Sequence, residues 1–271
     1  MNIFFKIWLW LHTFVPMDLK AKKSLGQHFL QDEEVCRMIA EAVWKADTTG
    51  KILEIGPGKG ALTKYLFAPE RHRLKVVEID TRMVSFLQEH FPGLEISHQD
   101  FLEAKPEYFF EGQFSLCGNF PYNISSQILF RLLEYRAQIP VMTGMFQQEV
   151  ASRICSGHGR KDYGILSVLV QACYDPQYLF TVAESSFDPP PRVKSGVIQL
   201  TRKAVSLVQD EAFFIRVVKA AFNQRRKMLS NSLAGILGDY PYREERVLKL
   251  RPEQLSVDDF ILLAENIKAA K

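Results

Sequence analysis

The sequence has few cysteines and lacks the spacings that bind metal ions or build a disulfide framework. Its 271 residues include 4 cysteines, none of them in a CxxC pair, and no HxxxH or HExxH arrangement lies near them. A structural zinc site draws its ligands from closely spaced cysteine and histidine pairs of this kind. We therefore expect no metal site. We interpret the cysteines as reduced thiols that pack as small hydrophobic side chains in a cytoplasmic protein.

A long hydrophobic run is also lacking. Residues 3–15 are largely apolar, but Lys6 interrupts them, and a membrane-spanning helix needs about 20 apolar residues. A signal peptide would need a more basic start and a small-residue cleavage site, which residues 13–16, Thr-Phe-Val-Pro, do not offer. We expect no membrane association. Residues 1–19 are interpreted as an apolar N-terminal extension, which a start of translation at Met17 would explain.

Neither sign of charge dominates, since 34 lysines and arginines stand against 31 acidic residues and leave a net charge of +3. An acidic partner such as nucleic acid would therefore be held by local basic clusters rather than by the whole surface. Internal repeats and low-complexity tracts are absent from the sequence as well. Because single hydrophobic cores stop growing near about 250–300 residues, the length favours one large unit with a smaller second one.

Between residues 51 and 147 short apolar runs alternate with amphipathic stretches. Such alternation is typical of a parallel sheet flanked by helices. The predicted strands are residues 51–55, 74–79, 94–98, 114–117 and 141–146, and the predicted helices are residues 61–67, 82–90 and 125–135. We predict an α/β fold with a doubly wound, Rossmann-like sheet, whose ligand lies at the carboxyl ends of the strands.

The rest of the chain changes character near residue 205. Before it we predict a helix at residues 165–172, a strand through Phe180, a stiff triproline loop and a strand at residues 195–200. Beyond it the spacing is helical, with a helix predicted at residues 213–237. Ser256 and Asp259 resemble a capping box that opens the last helix. The predicted domains are therefore residues 20–204 and a small all-helical unit at residues 205–271.

A glycine-rich loop follows the first predicted strand of the sheet. Gly56, Gly58 and Gly60 let the backbone turn tightly and approach a ligand closely. Glu78 ends the next strand, where it can accept hydrogen bonds from ribose hydroxyls, and Asp100 ends the one after, as an acceptor for a base. Nicotinamide dinucleotides favour GxGxxG, whereas this loop reads ExGxGxG. That spacing resembles the cofactor loop of S-adenosylmethionine-dependent methyltransferases.

The tetrapeptide from Asn119 to Tyr122 follows the fourth strand of the sheet. The amino nitrogen of adenine is a poor nucleophile because its lone pair is delocalised into the ring. The side-chain oxygen of Asn119 and the carbonyl of Phe120 could accept its two hydrogens, Pro121 would fix the backbone, and Tyr122 offers a face for stacking. The alternative is an ordinary Asn-x-Pro turn with an incidental aromatic residue.

Asn119 to Tyr122 resembles the (N/D)PPY signature of amino-methylating transferases, with Phe120 in place of the first proline. Three further segments, KSLGQHFL at residues 23–30, SFDPPPRV at 186–193 and AFNQRRK at 221–227, are similar to hallmarks of the small-subunit rRNA adenine dimethyltransferase A family. This resemblance runs from about Lys20 to the C-terminus. It implies S-adenosylmethionine-dependent dimethylation of two adjacent adenosines near the 3′ end of 16S rRNA, linked to ribosome biogenesis.

The resemblance also implies a role for individual residues. It places cofactor contacts at His28, Leu30, Gly56, Gly58, Glu78, Asp100 and Asn119. Many family members have asparagine where His28 stands. Catalytic roles are implied for Asn119, Phe120, Pro121, Tyr122 and Phe187. The ring of Phe187 would close over the target base opposite Tyr122, and the alternative for Phe187 is a core aromatic residue beside the proline loop.

RNA contacts are expected on the predicted helix at residues 213–237. There Arg216, Lys219, Asn223, Arg226 and Ser230 form one stripe, and Phe214, Val217, Ala221, Met228 and Ser232 form an apolar one. Such a basic edge can also be a solvated charged face, but the FNQRRK resemblance favours RNA. The predicted RNA-binding residues are Lys22, Lys23, Arg192, Lys219, Asn223, Arg225, Arg226 and Lys227.

The expected partner is the small ribosomal subunit with its rRNA, and the expected state is a monomer in the cytoplasm. Two alternatives remain open. One is a large-subunit rRNA adenine methyltransferase of the antibiotic-resistance type, and the other is a ribosome-assembly factor that acts by binding alone. The complete FDPPPRVKS and FNQRRK segments argue against the first. The intact Glu78, Asp100 and Asn119 argue against the second.

Overall fold

The computed structural model describes residues 19–68, 73–204, 208–238, 241 and 245–270. The apolar extension predicted at residues 1–19 lies, apart from Leu19, outside the described residues. Within the described ranges no helix combines the length and the apolar character that crossing a bilayer requires.

Within the described ranges nine strands form two sheets. They are β1 (Phe29–Leu30), β2 (Lys51–Ile55), β3 (Arg73–Glu78), β4 (Glu95–His98), β5 (Ser115–Asn119), β6 (Val141–Gln147), β7 (Tyr174–Val182), β8 (Phe187–Asp188) and β9 (Ser195–Arg202). The main sheet has the order β4-β3-β2-β5-β6-β9-β7. Its members from β4 to β6 are parallel, whereas β9 pairs antiparallel with both β6 and β7. The short β1 and β8 pair separately.

Ten α-helices accompany the strands in the described residues. They are α1 (Glu33–Ala46), α2 (Thr63–Leu66), α3 (Thr81–His90), α4 (Ser125–Glu134), α5 (Gln148–Cys155), α6 (Ile165–Gln171), α7 (Glu211–Asn223), α8 (Leu229–Ser232), α9 (Ala234–Leu237) and α10 (Val257–Ala269). The predicted capping box of the last helix is present, because the amide of Asp259 donates to Ser256 Oγ and the amide of Ser256 donates to the Asp259 carboxylate.

Hydrophobic clusters cover both faces of the main sheet. Along β2, Leu53 and Ile55 belong to one cluster and Ile52 to another. Along β3, Val77 faces the first cluster and Val76 the second. Successive side chains of a strand point to opposite faces, so a parallel sheet covered on both sides needs near-continuous apolar strands. These runs are the pattern from which the doubly wound α/β sheet was predicted, and that fold class is confirmed.

The helix predicted at residues 213–237 was wrong as one continuous element. Helix α7 ends at Asn223, and the chain turns before α8 begins at Leu229. An unbroken helix would place Met228 on the apolar stripe, but Met228 is 44% exposed whereas Leu229 is buried. The turn allows Leu229, Leu233 and Leu237 to enter the core. Asn223 and Arg226 therefore do not share one helical stripe.

A third hydrophobic cluster holds the C-terminal helices together. It combines residues of α7 to α10, such as Val217 and Phe260, with Val168 and Leu169 of α6. No strand occurs beyond β9 in the described residues. The division at residue 205 into two domains stays a prediction, since α6 packs into the same cluster as the helices that come after it.

The backbone between β5 and α4 is anchored to the sheet by the side chain of Phe120. The side chain of Phe120 is 1% exposed and packs on Phe146, with ring centroids 5.0 Å apart. It lies directly over Gly144 of β6, where a Cβ atom would stand only 2.0 Å from Phe120 Cε2. Gly144 is thus required by the volume of the ring above it.

We predict that Gly144→Ala lowers the free energy of unfolding by roughly 1–3 kcal/mol, because the enclosed ring of Phe120 has to move. Chemical denaturation with urea measures the change. Gly235→Ala is the matched control, since a Cβ atom at Gly235 in α9 meets nothing within 4 Å, and it should leave stability unchanged or raise it. Equal stability of Gly144→Ala and the parent protein would contradict this packing argument.

Candidate functional site

A cavity lies at the carboxyl ends of β2 to β5. Its walls come from five separate parts of the chain, namely residues 25–30, 54–59 with 61–62, 77–79, 99–102 and 119–124. After β2 the chain adds β3 and β4 on one side, and then β5 and β6 on the other. The cavity is therefore at the point where the direction of winding reverses, which is where doubly wound sheets bind ligands.

The loop after β2 forms the floor of this cavity. Gly56 and Gly58 have φ angles of 63° and 55°, which favour glycine. The amide of Gly56 donates to the carbonyl of Val77, 2.9 Å away. A Cβ atom at Gly58 would stand 3.1 Å from the ring of Phe29. The loop is thus held against both β3 and the N-terminal segment.

Glu78 is buried at the end of β3 and faces the glycine loop. One carboxylate oxygen accepts from the amides of Ile79 and Asp80, each at 2.9 Å, and the other accepts from the amide of Gly58 at 3.1 Å. Burial raises the pKa of Glu78, and these amide hydrogen bonds partly oppose the rise. Glu78 therefore shapes the loop and lines the cavity. Its predicted contact with a ribose stays a prediction.

A second buried carboxyl group, Glu54, lines the cavity beside Glu78. Its Oε2 accepts a hydrogen bond from Thr63 Oγ1 at 2.8 Å. Burial raises the pKa of Glu54 to about 8, and the nearby charge of Glu78 adds to the rise. We did not predict Glu54 as a separate site residue, although it is the first residue of the ExGxGxG pattern.

Asp100 follows β4 and is half-buried at the cavity wall. One of its carboxylate oxygens accepts from the amide of Leu102 at 2.8 Å. This turn holds the carboxylate in place, and Asp100 remains a predicted acceptor for a ligand base.

Asn119 ends β5 and is oriented by the N-terminal segment. Its Nδ2 donates to the carbonyl oxygen of His28 at 3.0 Å. An amide whose nitrogen is engaged in this way presents its oxygen as the acceptor for another group. Asn119 lines the cavity together with Pro121 and Tyr122, and the role of its oxygen as an acceptor for an amino group stays a prediction.

Tyr122 and His28 form a stacked pair at the cavity wall, with ring centroids 5.6 Å apart and planes inclined by 26°. His28 Nδ1 donates to the carbonyl of Pro189 at 2.7 Å, and the hydroxyl of Tyr122 lies 2.5 Å from Ser195 Oγ. Both residues are thus fixed to the proline loop or to the strand after it. The contact of His28 with a cofactor stays a prediction.

The ring of Phe187 does not lie in the cavity wall. It is 4% exposed and packs in the same cluster as Leu30, with which it pairs between β1 and β8. The short β1–β8 pair, which the sequence pattern did not indicate, holds this residue beside the N-terminal segment. Closure of the ring over a base opposite Tyr122 stays a prediction, as does the alternative of a core aromatic residue.

Of the predicted RNA-binding side chains, Arg225 is half-buried and the others are exposed, namely Lys22, Lys23, Arg192, Lys219, Asn223, Arg226 and Lys227. Three of the eight contact the protein itself. Lys22 forms an ion pair with Asp80, Lys219 lies over the ring of Phe130, and Arg225 donates to the carbonyl of Arg160. Arg225 also lies 3.9 Å from the carboxylate of Glu253. The positions of these side chains do not show whether they contact RNA, so all eight assignments stay predictions.

The sequence matches known proteins over most of its length. A family model described as ribosomal RNA adenine dimethylase matches residues 18–262. The chain is 52% identical over 255 residues to ribosomal RNA small subunit methyltransferase A of Flavobacterium johnsoniae, a match that covers 93% of this chain and 97% of the relative. It is 51% identical over 259 residues to the protein of the same name from Bacteroides thetaiotaomicron, with 93% and 96% coverage.

Two methyl-transferring proteins are among the solved structures with a similar fold. A dimethyladenosine transferase from Plasmodium falciparum superimposes with a TM-score of 0.78 at 23% identity, and the match covers 90% of this chain and 98% of that one. The 23S rRNA methyltransferase ErmE gives a TM-score of 0.66 at 28% identity, with 89% and 99% coverage. The first of these likenesses, at its low identity, shows the fold alone.

The raised pKa of Glu54 predicts how stability depends on pH. Between the ordinary value of 4.5 and about 8, the folded protein keeps a proton that the unfolded chain has lost. Stability should therefore fall as the pH rises through this window, by ~1 kcal/mol per pH unit at most. Glu54→Gln removes the proton equilibrium and should flatten the fall. Urea unfolding at several pH values between about 5 and 8 measures the slope.

The matched control is Glu103→Gln, because Glu103 is an exposed carboxylate close to the same wall. It should keep the pH dependence of the parent protein. Parallel profiles for Glu54→Gln and the parent would show that Glu54 does not hold its proton in the folded state.

Proposed function

Since the chain belongs to the ribosomal RNA adenine dimethylase family, we propose that it transfers methyl groups from S-adenosylmethionine to 16S rRNA. The acceptors are the N6 amino groups of two adjacent adenosines near the 3′ end. The observation that carries the proposal is the orientation of Asn119. Its amide nitrogen is bound to the carbonyl of His28, so its oxygen is available to an amino group at the cavity that holds the carboxylates.

The cavity suits S-adenosylmethionine chemically. That cofactor carries a ribose, an adenine and an amino group, and the wall offers the carboxyl groups of Glu54, Glu78 and Asp100 among apolar residues such as Ile79 and Leu102. Carboxyl oxygens can accept from hydroxyl and amino groups, while apolar side chains cover a base. When bound, the cofactor supplies an electrophilic methyl group on sulfur.

The residues of the chain would act by placing the adenine amine. The Asn119 oxygen accepts one amino hydrogen and the carbonyl of Phe120 accepts the other, which draws the nitrogen lone pair out of the ring. Positive charge develops on nitrogen during attack, and two fixed acceptors stabilise it. The proton then leaves from a far more acidic, methylated ammonium, so no strong general base is needed. The monomethyl product keeps one hydrogen, which allows a second transfer.

Tyr122 would hold the base by stacking on its ring face. Its own position is held by the stack with His28 and by the hydrogen bond with Ser195. Because its hydroxyl is engaged in this way, the ring cannot rotate out of the cavity wall without losing both contacts. A rigid platform of this kind reduces the entropy that is lost when the base is oriented.

RNA would be held by exposed basic side chains outside the cavity, among them Lys23, Arg192 and Arg226. Cations of this type contact phosphates and position the duplex without reading sequence. The partner that we propose is the small ribosomal subunit, with the enzyme acting as a monomer in the cytoplasm, where ribosomes assemble.

The sequence left two alternatives, and both are less well supported. The large-subunit alternative is represented by ErmE, to which identity is 28%, whereas the relatives named for the small subunit are about twice as similar. The alternative of an assembly factor without catalysis leaves the oriented amide of Asn119 and the buried carboxylates without a use.

The variant Asn119→Ala tests the catalytic assignment. Methyl transfer should fall by roughly 100- to 1000-fold, because an acceptor that acts mainly in the transition state is lost. Affinity for S-adenosylmethionine and for RNA should stay within a few-fold of the parent. Incorporation of tritiated methyl groups into undermethylated small subunits measures the rate, and calorimetry measures cofactor binding.

Two further variants separate the possible outcomes. Asn119→Asp keeps an acceptor oxygen but loses the donor to His28, so its rate should lie between those of the parent and Asn119→Ala. Arg226→Ala should instead weaken RNA binding and flatten its salt dependence. Near-parental dimethylation by Asn119→Ala would overturn the catalytic assignment and favour the assembly factor. Failure of the parent protein to bind S-adenosylmethionine would overturn the cofactor assignment.

A further inference from the structure

Asp80 directly follows Glu78 and Ile79, which line the cavity, and its side chain is 1% exposed. Its amide donates to the Glu78 carboxylate at 2.9 Å. The carboxylate of Asp80 also begins helix α3, because its Oδ1 accepts from the amide of Arg82 at 3.2 Å. A helix cap needs only one acceptor of this kind. The other contacts of Asp80 therefore require a different explanation.

Three side chains surround the buried carboxylate. Lys22 Nζ donates to Oδ1 at 3.2 Å, and Gln27 Nε2 donates to Oδ2 at 3.1 Å. Arg82 donates from Nε to Oδ1 at 3.1 Å and from Nη2 to Oδ2 at 2.6 Å. The bonds from Arg82, Gln27 and Lys22 hold the pKa of Asp80 well below its usual range. The group is charged at any working pH.

Two of these donors belong to the N-terminal segment, residues 20–30, whose contacts with one another reinforce the attachment. The amide of Lys22 donates to Gln27 Oε1 at 2.9 Å, and Arg82 Nη1 donates to the carbonyl of Lys20 at 3.1 Å. Asp80 and Arg82 thus bind the first part of the segment at three points, which are Lys20, Lys22 and Gln27.

The same segment forms one wall of the cavity, from Leu25 to Leu30. Midway along it, a Cβ atom at Gly26 would stand 2.5 Å from Asn123 Oδ1, so the segment lies directly on the loop that carries Tyr122. At its far end, the carbonyl of His28 receives the amide of Asn119. A displacement at Lys22 and Gln27 would therefore open the wall and release both catalytic residues.

We propose that Asp80 is a positioning residue that holds residues 20–30 as a closed wall of the cavity and thereby limits how fast the cofactor leaves. The part that concerns the cofactor rests on the proposed function. Asp80 need not touch any ligand for this role. Asp80 acts through its hydrogen bonds with Lys22 and Gln27. Loss of these bonds should increase the mobility of residues 20–30 even when no ligand is bound.

The experiment compares Asp80→Asn, Lys22→Met and the double variant. Amide hydrogen exchange of residues 21–30, measured by mass spectrometry on the cofactor-free protein, reports opening of the wall without any activity. Surface plasmon resonance gives the dissociation rate of S-adenosylhomocysteine. Both rates should rise by about 3- to 10-fold in each single variant, as expected for the loss of a charged hydrogen bond with one half-exposed partner.

The double variant should be no worse than Asp80→Asn, because both changes break the same contact. The matched control is Lys45→Met. Lys45 is an exposed lysine of α1 whose side chain is not among the donors to Asp80, and its variant should behave like the parent. The thermal midpoint of each variant shows whether the whole protein, rather than the wall, has become less stable.

Unchanged exchange of residues 21–30 in both single variants would overturn the proposal. So would equal effects of Lys22→Met and Lys45→Met, which would indicate a general effect of charge. Should Asp80→Asn fail to fold, Lys22→Met still decides the matter, since it leaves the helix cap intact. Faster exchange in a protein that binds no S-adenosylhomocysteine would support the wall and reject the cofactor, so the two failures are distinguishable.

Discussion

The arrangement of the site depends on the hydrogen bonds that Glu78 accepts at the end of β3. A buried carboxylate is tolerated only where donors surround it, and here the donors are the amides of Gly58, Ile79 and Asp80. One bond fixes the glycine loop of β2. Another orients the turn that presents Asp80 to the N-terminal segment. The two walls of the cavity are thus positioned from the same carboxylate.

Asp80 is linked through residues 20–30 to the proposed catalytic loop, residues 119–122. It binds Lys22 and Gln27 at the start of this segment. Further along the segment, the carbonyl of His28 orients Asn119 and the ring of His28 stacks on Tyr122. His28 is held in turn by the carbonyl of Pro189 in the proline loop, and Tyr122 by Ser195 at the start of β9. Segments far apart in the sequence therefore depend on one another. We therefore expect a change at Asp80 to affect the chemistry proposed for Asn119, through the hydrogen bonds of residues 20–30.

The sequence was enough to predict the features that depend on local residue patterns. It was not enough to predict the features that depend on contacts between distant parts of the chain. Apolar strands with a glycine loop and carboxylates at their ends indicated the sheet and the cavity, because strand ends of a parallel sheet meet at one edge. The buried position of Phe187 depends on β1 pairing with β8, two residues each, which leaves no periodicity to read. The break after Asn223 depends on where Leu229 finds its core, which is a tertiary constraint as well.

The contacts of Phe120 explain why the proposed catalytic loop, residues 119–122, has phenylalanine where the (N/D)PPY signature has its first proline. Its amide donates to the carbonyl of Met145 at 3.2 Å, a bond that proline cannot form. Its ring fills the space above Gly144 and packs on Phe146. The backbone at Phe120 is consequently pinned to β6 by a hydrogen bond and by packing. A carbonyl pinned in this way keeps its direction, which is what its proposed role as an acceptor for the adenine amine requires.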